Sequence, residues 1–151
     1  MPRMRNLFLL LHVVAAIVWL GGMTFALFAL RPAAHSLLQP PVRLPLMVQV
    51  LRRFFPLVIA AIVVLLPTGV WLLMQMRGAQ APAGWHAMAG LGVVMALVFG
   101  HLFFAPWRRL QRAVAAQDWP EGGRRMNQVV LLVQVNLALG WLAVIAVFLW
   151  R

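Results

Sequence analysis

Histidines 12, 35, 86 and 101 are the side chains of this sequence best suited to metal chemistry. Neutral imidazole is the commonest protein ligand for metal ions and a natural axial ligand for haem iron. The chain has no cysteine, which removes disulfides and thiolate sites. Asp118 and Glu121 are its only acids, so a proton relay or cation site built on membrane carboxylates is also excluded. His12 and His86 have similar surroundings. Three and four residues later, on the same helix face, come Ala15 and Ala16 after His12, and Ala89 and Gly90 after His86. Small neighbours leave room for a planar cofactor or a close helix contact. Two imidazoles facing one another could hold a single metal, either copper or the iron of haem b. Met23 and Met88 offer thioether sulfur, a soft ligand suited to Cu(I), although methionine in an apolar helix is ordinarily packing material. His101 lies fifteen residues beyond His86, about 22 Å deeper at 1.5 Å per residue. Paired with His35, it would form a second, inner site. No Ser/His/acid set, phosphate loop or metallohydrolase pattern is present, so the sequence points to a binding protein with no catalytic residues.

The elements that must position these groups are long and apolar. Hydrophobic residues make up 64% of the 151 and charged residues 10%, against about 45–50% and 25% in soluble domains. The excess sits in four runs free of Asp, Glu, Lys and Arg, over residues 7–30, 54–76, 86–106 and 126–150. Roughly 20 apolar residues cross a hydrocarbon core of about 30 Å. Each run therefore predicts one crossing, and the whole chain, 1–151, one all-α membrane domain: a four-helix bundle. The first run exceeds the 7–15 residues or so of a signal-peptide core and is expected to be retained.

All 13 basic residues are arginines. Nine lie between runs one and two or between runs three and four, and four lie on the other side. An excess of basic residues marks cytoplasmic loops, so both termini are expected in the periplasm of a bacterial inner membrane. Arginines clustered at the ends of apolar runs suit anionic lipid headgroups rather than nucleic acid. A homodimer and a redox partner are both compatible with this pattern.

The chain also reads as a duplicated hairpin. His12 and Pro32 superpose on His86 and Pro106 at an offset of 74, and Arg52-Arg53 on Arg124-Arg125 at 72. Gly69-Val70-Trp71-Leu72 falls on Gly140-Trp141-Leu142 at about 71. Both units start on one side of the membrane, which makes the repeat parallel and puts His12 and His86 at similar depth, on spans that are diagonal neighbours in an up-down bundle. Pro32, Pro40, Pro41 and Pro45 predict a loop from Arg31 with no helix before about Leu46. Arg108, Leu110, Arg112 and Val114 predict a short basic interfacial helix, ended by Trp119-Pro120 and Gly122-Gly123. Pro67 is expected to kink the second span.

The stretch His12-Val-Val-Ala-Ala-Ile-Val-Trp19-Leu-Gly21-Gly22, with Leu30-Arg31-Pro32-Ala33-Ala34, resembles the opening span of copper-resistance protein D (CopD) family proteins. So do Arg52-Arg53-Phe54-Phe55-Pro56 and the segment from His86 through His101-Leu-Phe-Phe-Ala-Pro106 to Leu110. The likeness covers nearly the whole chain. It implies a four-span inner-membrane module of copper uptake or homeostasis, with His12 and His86 as natural ligands. The chain is also similar to HemJ, a haem-containing protoporphyrinogen oxidase that pairs a first-span His with a third-span His-x-Lys. Met88 stands here where that lysine would be, which weighs against oxidase activity and leaves haem binding open.

Overall fold

The computed structural model describes residues 2–75 and 80–150. Met76, Arg77, Gly78 and Arg151, which entered the span and topology arguments, lie outside the described residues. Six α-helices account for nearly all the rest: α1 (Pro2–Phe25), α2 (Arg31–Leu37), α3 (Pro40–Gln75), α4 (Ala83–Phe104), α5 (Pro106–Ala115) and α6 (Trp119–Leu149). A π-helical turn, Ala26–Leu30, joins α1 to α2. Four of these continuous stretches are long and apolar enough to cross a membrane, with mean hydropathy from 2.1 to 2.6.

The helices run well past the apolar segments, and three local devices explain how. In the first span the chain continues through Pro32, which cannot donate a backbone bond. The turn before it widens, with Arg31 N–H donating to the Ala26 carbonyl five residues back; such wide turns absorb an irregularity without ending a helix. In α3 the proline-rich stretch starts the helix, correcting the expectation of a loop up to Leu46. The N–H groups of Val42 and Arg43 both reach the Gln39 carbonyl, at 3.0 and 2.8 Å. Pro40 and Pro41 thus occupy first-turn positions whose N–H groups have no helical partner anyway. Only Leu38 and Gln39 separate α2 from α3.

The third device is at Asp118. Its Oδ1 accepts from the Glu121 N–H at 3.0 Å, an N-cap of the kind that satisfies otherwise orphaned first-turn donors. Trp119-Pro120 and Gly122-Gly123, expected to terminate helix, therefore lie inside the first turns of α6. What ends α5 is Gln117, at a left-handed φ of 57°, with Asp118 N–H closing onto the Ala113 carbonyl at 2.9 Å. Gly122 is needed for contact, since a Cβ there would sit 3.0 Å from Leu44.

In the bundle α1 packs mainly on α3, and α4 mainly on α6. Among the described residues the backbones of α1 and α4 do not approach closely; the two helices lie diagonally and meet through long side chains, with Trp19 edge-on to Phe99 at 6.5 Å between ring centroids. α5 folds back on α6 and buries Trp107, Leu110 (0% exposed) and Ala113. Its apolar side is thus occupied by protein, while Arg108, Arg109 and Arg112 stay exposed. An aromatic cluster fills the arginine-rich half of the core: Phe55 meets Phe99, Phe103 and Trp107 edge-on at 5.5, 6.1 and 4.9 Å between ring centroids. At the opposite end Gly84 lets α4 approach the last turn of α6, its N–H donating to the Trp150 carbonyl at 3.0 Å.

Candidate functional site

Between the diagonal helices α1 and α4, at the end away from the two arginine-rich connections, lies a cavity of about 290 Å³. Leu9, His12, Ala16, Trp19 and Leu20 of α1 form one wall, and Trp85, Met88, Ala89, Gly92 and Met95 of α4 form another. α3 contributes Leu65, Gly69 and Leu73, and α6 contributes Gly140, Ala143 and Val147. Among the described residues His12 is the only ionisable side chain lining it, beside the Met88 and Met95 thioethers and apolar groups.

His12 is held from α3. Its Nδ1 lies 3.0 Å from Thr68 Oγ1. The Thr68 hydroxyl has a single proton, and its shortest contact, 2.6 Å, is to the Val64 carbonyl, with the Leu65 carbonyl at 3.2 Å. Because those carbonyls can only accept, the hydroxyl donates to them and accepts from His12 Nδ1–H. This assignment leaves Nε2 with its lone pair free, the arrangement metal-binding histidines adopt when a partner fixes their other nitrogen. Gly69 supplies the space, since a Cβ at that position would meet His12 Cε1 at 3.0 Å. One turn nearer the helix ends, Phe8 stacks on Trp71 with 4.3 Å between centroids and covers the pair.

On the opposite wall Met88, Gly92 and Met95 follow one helical stripe. Gly140 of α6 permits close packing here, because a Cβ would collide with the Leu20 side chain and come within 3.1 Å of Met95 Cε. Below Met95, Asn136 is buried at 2% exposure and donates from Nδ2 to the Met95 carbonyl at 3.1 Å.

The other candidates are distributed differently. His86 lies at the start of α4, exposed to the surroundings, and does not line the cavity. Met23 is buried in the core, away from the cavity lining. His35 on α2 and His101 in the last turn of α4 are both exposed, and the backbones of α2 and α4 do not approach closely among the described residues. No group of three or more His, Asp or Glu side chains converges among the described residues.

The residues of this site not legible in the sequence are Thr68, which no motif singles out, and Gly69, which enters there only as part of the repeat. Their signal was a hydroxyl and a glycine side by side, directly after Pro67, in an otherwise apolar run.

The fold and cavity define a multi-pass membrane protein built as a helical bundle, with an apolar chamber at the end away from the two arginine-rich connections. The family model for copper resistance protein D matches residues 48–150. The chain belongs to the copper resistance protein D family. The matched region starts at Val48 and includes α4 and α6, while His12 precedes it. No curated protein and no solved structure matches the chain.

Proposed function

We propose that this protein handles copper in a bacterial inner membrane and receives Cu(I) in the cavity between α1 and α4. His12 Nε2 and the Met88 thioether are the principal ligands, with Met95 beneath them. The observation carrying this reading is the His12–Thr68 hydrogen bond, which assigns the ring proton of the neutral imidazole to Nδ1 and so turns the Nε2 lone pair of a residue that shares its cavity with two soft sulfurs to coordination. Cu(I) favours such soft ligands and tolerates few of them. Family membership supports copper as the cargo. The arginine distribution supports an orientation in which the cavity opens to the periplasm and the arginine-rich end meets anionic headgroups of the inner leaflet. His86 stays outside this donor set because it is exposed.

The test is anaerobic Cu(I) titration of the purified protein in detergent against a chromophoric competitor. One equivalent should bind, His12→Ala should abolish binding, Met88→Leu should weaken it, and His86→Ala should leave it unchanged. A red preparation with a Soret band lost in His12→Ala would replace copper by haem at this site. Equal loss in His12→Ala and His86→Ala would restore a paired-histidine site.

A further inference from the structure

The lipid-facing side of α6 carries a polar group that the monomer leaves unserved. Gln134 lies well inside the apolar run 126–150, is exposed, and its side-chain amide makes no hydrogen bond among the described residues. It cannot be satisfied by water at that depth, and an unpaired amide facing hydrocarbon is strongly unfavourable. Asn136, only two residues away, shows the contrast: it turns inward and donates to the Met95 carbonyl. Gln134 shares its exposed stripe with Leu131, Ala138 and Trp141. These four alternate in steps of three, four and three, the spacing of a seam between two helices crossing at a small angle. Ala138, one turn from Gln134, is small enough for a second backbone to approach closely.

We propose that α6 is the interface of a homodimer, in which Gln134 of one protomer hydrogen-bonds Gln134 of its partner across a two-fold axis along the membrane normal. A second copy is the occupant that fits best, for two reasons. Both copies insert with the same orientation, so a residue near the axis meets itself at its own depth. A carboxamide is self-complementary, its NH₂ donating to the partner's carbonyl oxygen while its own oxygen accepts in return. The cavity opens between α1 and α4, so this dimer leaves it accessible, and the inference does not depend on what the cavity binds.

Because the natural chain lacks cysteine, single substitutions report contacts without background. Gln134→Cys, Leu131→Cys and Ala138→Cys should form disulfide-linked dimers when native membranes are oxidised, whereas Val63→Cys, on the exposed side of α3, should not. In detergent, fluorescence energy transfer between labelled copies should show Gln134→Leu weakening dimerisation by roughly 3- to 30-fold, the range of interhelical hydrogen bonds in membranes, with Gln134→Asn falling between it and the wild type. Cross-linking equal at positions 134 and 63, capture of a different protein alone, or unchanged dimerisation of Gln134→Leu would each overturn the assignment.

Discussion

Replacing Thr68 by valine keeps the side-chain shape and removes one oxygen. In the native site that oxygen accepts the His12 Nδ1 proton at 3.0 Å and passes its own proton to the Val64 carbonyl at 2.6 Å. With valine, the ring loses its hydroxyl acceptor and keeps only the Leu65 backbone carbonyl. Loss of a hydrogen bond costs about 0.5–1.5 kcal/mol, which weakens the preference for a proton on Nδ1 over Nε2, the atom copper needs. Loss of such outer partners weakens metal affinity by about 10–100-fold, equivalent to about 1.4–2.8 kcal/mol. Anaerobic Cu(I) competition should show that shift for Thr68→Val, with Thr68→Ser staying close to wild type because it restores the hydroxyl. Gly69→Ala should weaken binding as well, since its Cβ would press on His12 Cε1 at 3.0 Å. Unchanged affinity in Thr68→Val, with binding still lost in His12→Ala, would refute the argument that the hydroxyl sets the tautomer.

Other perturbations test the frame around the cavity. Gly140→Ala places a methyl group against Leu20 and Met95 and should cost about 1–3 kcal/mol by overpacking, read as a lowered thermal midpoint in detergent. Leu110→Ala empties a fully buried position where α5 meets α6 and should cost about 2–5 kcal/mol, whereas Arg109→Ala on the exposed side should stay within about 0.5 kcal/mol. Glu121, in the polar first turn of α6, has its carboxyl held below the ordinary range by hydrogen bonds from Arg124 and Arg125. Its contribution is therefore full at and above the ordinary carboxylate range and fades as pH falls through the lowered value. The small difference in thermal midpoint between Glu121→Gln and wild type should accordingly vanish in strong acid.

Crossing number and helical class were legible because hydropathy in a membrane protein is imposed by lipid along the whole span. Helix ends were less so, because they are set by single hydrogen bonds. The proline-rich segment from Pro40 and the sequence Asp118-Trp119-Pro120-Glu121 carry the same residues a loop would, and only position relative to the cap decides. Gln39 and Asp118 act as first-turn anchors, turning apparent breakers into helix starts. Pro67 is likewise accommodated within a continuous α3.

His86 and Met88 are both candidate ligands by residue type, yet residues two apart on a helix point about 200° apart. With Met88 on the cavity wall and His86 exposed, α4 offers sulfur to the chamber and imidazole to the outside. The duplicated pattern conceals this asymmetry, because matching His12 with His86 compares residue types without the groups that hold them. Aligning Gly69 with Gly140 puts Leu139 where Thr68 stands. The first hairpin thus has a hydroxyl able to fix an imidazole, and the second has a leucine that cannot. Were a hydroxyl the decisive ingredient, the helix pair that carries it is where a coordinating histidine should be found, and His12, packed against Thr68 of α3, is the histidine so placed.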